Sequence, residues 1–241
     1  MKTSIKTAAI LIIGDEILSG RVKDENSPYL IDQLAKQGIK IEYCITIPDD
    51  IQIIKDTILF YSKKVTWMFT SGGIGPTHDD ITIESLAEAF DVPLVENKTM
   101  LQLIHRMYGD KCTSAHLKMA ELPKGIQLIP TERSNIFVLN FNNIYIFPGV
   151  PEFMRSMFGF IKDRFQGTIR AIRELNLTVD EALIVEPLNQ TLEAFSEVKI
   201  GSYPSYGNQS CRVKIVMEHS DHSYLDKAAD YFLEQVDLLE G

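Results

Sequence analysis

The chain has 241 residues, a formal net charge of -9 and 45% hydrophobic residues. That length allows one large domain or one plus a small one, and the acid excess, without any Lys/Arg cluster, excludes a nucleic-acid-binding surface. Cys44, Cys112 and Cys211 are odd in number and lack Cys-x-x-Cys spacing, which argues against a disulfide framework or a zinc site.

The apolar runs fall well short of the ~20 residues a membrane helix needs, so a cytoplasmic protein without membrane contact is expected. Ala8 to Gly14 is a continuous apolar run that reads as a parallel strand covered on both faces, with Asp15 and Glu16 at its carboxyl end. Asp24-Glu-Asn precedes an amphipathic helix from Tyr29 to Gln37, for which Ser27 is the expected N-cap and Pro28 the first helical residue. Gly38 ends it, Ile39 to Ile47 alternates as a second strand closed by Pro48-Asp49-Asp50, and Ile51 to Lys63 has helical spacing.

Val65 to Phe69 reads as a third strand and Ile81 to Phe90 as a helix, with Thr70-Ser-Gly-Gly-Ile-Gly-Pro-Thr-His-Asp-Asp turning between them. Such a turn presents backbone N–H groups to an anion, and glycines allow close approach. The spacing is neither a P-loop nor a dinucleotide fingerprint, since no Gly-Lys-Ser/Thr follows and His78 stands where a third glycine belongs. Asp79 and Asp80 beside the cradle would repel a phosphate unless a divalent cation (Mg²⁺, Mn²⁺ or Co²⁺) lay between them. The plainer reading is a tight turn whose aspartates suit a helix N-terminus.

The strand-helix alternation argues for a doubly wound, mostly parallel sheet with ligands at the carboxyl ends of its strands. Asp15, Glu16, Asp24, Asp49, Asp50, Asp79 and Asp80 then share one rim, although any one of them is also explained as a helix cap. Further helices are expected over Leu101 to Met107 and Ala115 to Ala120. Strands follow over Gln127 to Ile129, Ile136 to Phe141 and Ile144 to Phe147, with Asn142-Asn143 as a hairpin turn. Pro148-Gly149-Val150-Pro151 leads into a helix from Glu152 to Phe165. Gln166-Gly167 is the expected boundary, placing residues 1–167 in a first domain. Residues 168–241 read as a small β-α-β-β-α domain, in which the tyrosines of Gly201-Ser-Tyr-Pro-Ser-Tyr-Gly are either turn packing or an aromatic lid.

Gly14-Asp-Glu-Ile-Leu-Ser-Gly, Asp24-Glu-Asn, Asp49-Asp50, Ser71-Gly-Gly-Ile-Gly-Pro-Thr-His-Asp-Asp-Ile-Thr and Phe147-Pro-Gly-Val-Pro-Glu-Phe-Met together resemble the molybdopterin-binding-like domain of CinA and eukaryotic FAD synthases. Val198-Lys-Ile-Gly-Ser-Tyr-Pro is closer to the FAD-synthase branch. Neither the adenylyltransferase domain of those synthases nor the amidohydrolase domain of CinA is found in these residues. Glu132-Arg-Ser-Asn departs from the Gly-Thr-Ala-like loop usual in CinA-like proteins.

The resemblance implies a three-layer MogA/MoaB-like α/β/α fold with a smaller α+β domain behind it. It also implies metal-dependent pyrophosphatase activity on ADP-ribose, FAD or a related dinucleotide. A non-catalytic nucleotide- or molybdopterin-binding module and a molybdopterin adenylyltransferase are the alternatives. By the same resemblance Asp49 and Asp80 serve metal and nucleotide, and Asp79 is typical of the CinA-like branch; the glycine cradle beside the clustered acids further suggests Asp79 as a third metal ligand and Asp15, Glu16 or Asp24 as the group that orients water. Ser71, Gly72, Gly73, Gly75, Thr77, Asn26, Lys118, Pro148 and Gly149 contact the nucleotide-like ligand. A homo-oligomer is expected from the same source.

Overall fold

A computed structural model describes residues 5–131, 136–205 and 211–240, with side chains through residue 238. It divides into two compact units, Met1–Gly167 and Thr168–Gly241. Glu132-Arg-Ser-Asn, and Tyr206 and Gly207 of the tyrosine loop, lie outside the described residues.

In the first unit, β1 (Thr7–Ile13) sends Ala8, Ile10 and Ile12 into one core and Ala9, Leu11 and Ile13 into another. The period-two alternation of an apolar strand thus serves two faces, as a central parallel strand must. A short helix, α1 (Asp15–Leu18), follows directly, then α2 (Asn26–Lys36), β2 (Lys40–Ile47), α3 (Ile51–Ser62), β3 (Trp67–Ser71) and α4 (Thr82–Ala89). Next come β4 (Leu94–Glu96), α5 (Lys98–Tyr108), α6 (Ser114–Lys118), β5 (Glu121–Pro123), β6 (Gln127–Pro130), β7 (Phe137–Phe141), β8 (Ile144–Phe147) and α7 (Pro151–Ile161). The main sheet runs β2-β1-β3-β8-β7-β6, parallel except where β7 reverses against both its neighbours. Leu30 and Leu34 of α2 and Met154, Phe158 and Ile161 of α7 cover one face; Ile54 and Ile58 of α3 and Leu86 of α4 cover the other. The result is a three-layer α/β/α unit.

From β1 the chain crosses to β2 on one side and then to β3 on the other, so the order reverses between β1 and β3. Ligands of open α/β sheets bind outside the carboxyl ends of the strands at such a point.

Several local expectations change. Helix α2 starts at Asn26, because Asp24, not Ser27, caps it: Oδ1 accepts from the amides of Asn26 and Ser27 at 2.9 and 3.0 Å, and the Ser27 hydroxyl donates to Oδ2. Strand β3 begins at Trp67, two residues later than expected. Helix α7 stops at Ile161 and tightens into a 3₁₀ turn over Lys162–Arg164, which brings the fully buried Phe165 against Trp67, Phe69 and Phe158. Strands β4 and β5, which the sequence reading left out, pair as a two-stranded antiparallel ribbon.

The second unit comprises β9 (Ala171–Leu177), α8 (Val185–Ala194), β10 (Lys199–Pro204), β11 (Val213–His219) and α9 (His222–Glu240). Its antiparallel sheet runs β10-β11-β9, and Val213, Ile215 and Met217 meet Leu225, Ala229 and Phe232 in its core. The first helix of this unit begins as a 3₁₀ turn, Glu181–Ile184, and becomes α-helical at Val185. Pro187 has no N–H to bond back four residues, so it is tolerated only in a first turn.

Candidate functional site

The site is built where β1 and β3 end. Past β1, the Gly14 amide donates to Ile47 O at 3.1 Å, holding the β1 and β2 ends together. Immediately beyond, the Asp15 amide donates to Asp49 Oδ2 at 2.9 Å. Burial pushes the Asp49 carboxyl above its usual range, and the nearby charges of Glu16, Asp15 and Asp79 push it further, while the Asp15 amide partly offsets them. Three loops therefore gather four acids. Among the described residues no Lys or Arg lies within ion-pair reach of any of them; the His78 ring stands 3.9 Å from Asp79.

Past β3, the Gly72 amide donates to Phe147 O at 3.1 Å. With φ at 115°, its Cα faces the end of β1, and a Cβ there would sit 2.0 Å from Ile13 O. Gly73, at φ 63°, is packed as closely on Thr82, where a Cβ would meet Oγ1 at 2.4 Å. Thr82 in turn donates its hydroxyl to Gly72 O and its amide to Gly73 O, both at 3.0 Å, and so pins the turn to the start of α4. Among the described residues, the amides of Gly73, Ile74 and Gly75 have no acceptor. Three successive free N–H groups beside a helix start form an anion-binding concavity.

A second turn backs the first. The Ser71 hydroxyl donates to Pro148 O at 3.0 Å, and Asn26 Nδ2 donates to Ser71 Oγ at 2.9 Å and Gly149 O at 2.7 Å. Asn26 is 6% exposed. Asn26, Ser71, Pro148 and Gly149 thus form a clamp on the glycine turn through Asn26 Nδ2, while the buried Asn26 Oδ1 has no hydrogen-bond partner among the described residues.

The two aspartates of the motif part company. Asp80 Oδ2 accepts from the Thr77 amide at 2.8 Å and the Thr77 hydroxyl at 2.5 Å, so Asp80 and Thr77 close the loop upon itself. The acid that shares a field with Asp49 is Asp79. Hydrogen bonding from Thr77 and from its own amide, with His78 close by, holds the Asp79 carboxyl below its usual range. Asp24 is likewise engaged, at the start of α2, and Asp50 caps α3 through the Ile53 amide at 2.9 Å. The expected rim of seven acids thus divides: Asp24, Asp50 and Asp80 accept hydrogen bonds at a helix start or within their own loop, and Glu16, Asp15 and Asp79 are the charges felt at Asp49.

Beyond Gly75 lies a cavity of about 120 Å³, with Pro76, Thr77 and Asp80 on one wall. Leu94 from β4, Leu122 from β5, Met100 from α5 and Phe137 from β7 make its apolar surface, and Lys118 from α6 supplies a cation on a wall that also carries Glu84 and Glu121. Lys118 has no ion-pair partner among the described residues. A void near 150 Å³ accepts a benzene-sized ring, so this one suits a single planar group. Of these wall residues Gly75, Thr77, Asp80 and Lys118 are expected from the sequence and the apolar ones are not; Leu94 and Leu122 stand on strands of three residues each. Thr82 was also missed, although a hydroxyl residue at the start of the helix after a glycine turn is itself a signal.

Carboxylates such as Asp49 suit a hard cation by charge and by oxygen chemistry. Among the described residues no three His, Cys, Asp or Glu side chains converge on one point. Mg²⁺ is usually bound by one or two carboxylates plus water and substrate phosphate oxygens, which fits such an open arrangement. No helix among the described residues is long and apolar enough to cross a membrane.

Comparison with known proteins gives two family matches: residues 9–166 match the probable molybdopterin binding domain, and residues 170–238 match the middle domain of FAD synthase. A protein of Archaeoglobus fulgidus is 32% identical over 93% of this chain and 96% of its own length. A probable FAD synthase of Caenorhabditis elegans is 32% identical over 88% of this chain, which spans 46% of that relative. The crystal structure of CinA from Thermoplasma acidophilum, described as of unknown function, superposes on 67% of this chain and 99% of its own with a TM-score of 0.61 at 27% identity.

Proposed function

The chain belongs to the family of probable molybdopterin binding domains, and on that premise we propose that its first unit hydrolyses the diphosphate linkage of a nucleotide such as ADP-ribose or FAD. The observation that carries this reading is the row of three acceptorless amides, Gly73 to Gly75, lying between a group of four acids and a cavity holding an unpaired lysine. One region attracts a cation, the middle one holds phosphate oxygens, and the third takes a planar group with its adjoining negative charge.

Asp49 and Asp79 would hold a divalent cation, which would supply charge neutralisation at the phosphates and activation of water. Glu16 folds back over Gly14, where an added Cβ would stand 2.6 Å from its Oε1, and from that position it orients the attacking water. The glycine-turn amides keep the phosphorus in place, and charge developing on its oxygens is met by N–H groups that need no rearrangement. Lys118 binds the phosphate nearer the cavity. The chain works in this reading as a cytoplasmic homo-oligomer.

The test is a hydrolysis screen of the purified chain with Mg²⁺, Mn²⁺ and Co²⁺ against ADP-ribose and FAD, following AMP release. Metal-dependent AMP release is expected; tight binding by calorimetry with no product under any metal replaces this reading with that of a binding module. Transfer of adenylate to molybdopterin, favoured by the family description, is distinguished by an adenylated pterin formed from ATP.

A further inference from the structure

The two edges of the second unit's sheet are built differently. Strand β10 opens on Lys199, contains Gly201 with the Tyr203 ring packed over it, and ends on Pro204. Lysine, glycine and proline on an edge strand discourage pairing with another chain. Strand β9, at the opposite edge, runs for seven residues with none of these. Beside it Ile172 is 59% exposed, and Ile169 just ahead is 71% exposed.

Along β9 the alternation places Ala171, Leu175 and Leu177 towards the helices and Ile172, Glu174 and Asn176 on the open face. Continued one step back, the same open face carries Arg170. Arg173 is tied to Asp226 at 3.6 Å and Glu174 to Lys214 at 2.7 Å, whereas Arg170 has no ion-pair partner among the described residues. The order on the open face is therefore a free cation, an exposed isoleucine and an acid, at even spacing.

We propose that β9 pairs antiparallel with β9 of a second copy, about a two-fold axis through Ile172. In that register Ile172 meets the partner's Ile172, and Arg170 meets the partner's Glu174 at both ends. On the helix side Ile169 falls opposite the partner's Leu175. The neighbouring symmetric registers fail on charge or polarity: centring on Arg173 or Glu174 opposes like charges, and centring on Ala171 sets Arg170 against the partner's Ile172. Glu174 keeps its bond to Lys214 in the pair, since a carboxylate accepts from more than one donor. Two three-stranded sheets become one of six, and both exposed isoleucines are covered. Only residues of the second unit take part, so the proposal is independent of the reading of the first.

The experiment is sedimentation equilibrium of the full chain at low ionic strength, with circular dichroism as the control for folding. Arg170→Glu and Glu174→Arg are each expected to weaken self-association about tenfold, since each creates two like-charge pairs. The double variant, with the charges exchanged, is expected to recover it. Ile172→Cys, oxidised, is expected to give a disulfide-linked dimer through the introduced thiol, because paired strands hold opposite Cα atoms about 4.5–5.5 Å apart, within disulfide reach. A monomeric wild-type chain, single reversals without effect, or a double variant that fails to recover overturns the proposal.

Discussion

On one side of the Gly72–Gly73 turn lie four acids drawn from the ends of β1, β2 and the turn itself; on the other lies a mostly apolar cavity with one unpaired lysine. The acid side is assembled from residues next to parallel strand ends, where the sheet fixes their positions. The cavity side is assembled from β4, β5, α5 and α6, a peripheral group of short elements. The difference separates two tasks. The acids stand at strand ends of the main sheet, whereas much of the cavity wall stands on peripheral elements, with Phe137 of β7 completing it.

The comparison breaks most completely if the turn itself is lost. Gly72→Ala places a methyl group 2.0 Å from a strand carbonyl at positive φ, and a loss of about 3–5 kcal/mol in chemical denaturation is expected, with both sides disabled. Asp49→Asn acts on the acid side alone: metal-dependent turnover falls by about 100-fold or more, read from kcat at saturating substrate, while circular dichroism is unchanged. Asp80→Asn sharpens the contrast, because Asp80 binds its own loop; its effect on kcat is expected to be smaller than that of Asp49→Asn. Lys118→Ala acts on the cavity side and raises KM about tenfold with little change in metal dependence.

The smallest effect is on stability. Because burial and then Glu16, Asp15 and Asp79 raise the Asp49 carboxyl, the folded chain binds a proton there more tightly than the unfolded chain. Its contribution therefore falls as pH rises from the ordinary carboxylate range through the raised folded value. Asp49→Asn is expected to melt slightly above wild type at neutral pH and to lose that advantage in acid, and Mg²⁺ is expected to raise the wild-type melting temperature more than that of the variant.

Much of the acid side was legible in the sequence, since an apolar strand ending in Gly-Asp-Glu and another ending in Ser-Gly-Gly can meet only at the carboxyl rim of a parallel sheet. Which acids face the cleft was not legible. Asp79 and Asp80 are adjacent in the sequence, yet Asp80 is half-buried against its own loop through the Thr77 amide while Asp79 is exposed, a difference set by the path of the turn and not by residue type. Asp24 turned away for a similar reason, because two amides at the start of α2 needed an acceptor. The cavity side was hidden more deeply. Leu94-Val-Glu and Glu121-Leu-Pro are too short to show periodicity, and they become strands only by pairing with each other.

Ile13 joins the interior to the chemistry in a single residue: its side chain is fixed in the core under α3 and α4, while its carbonyl is the floor against which Gly72 rests. Packing and alignment are therefore coupled mechanically. A methyl group gained or lost deep beneath the sheet is expected to shift the Gly73–Gly75 amides through that contact, so that repacking far from solvent can alter the turn without touching any of its own residues.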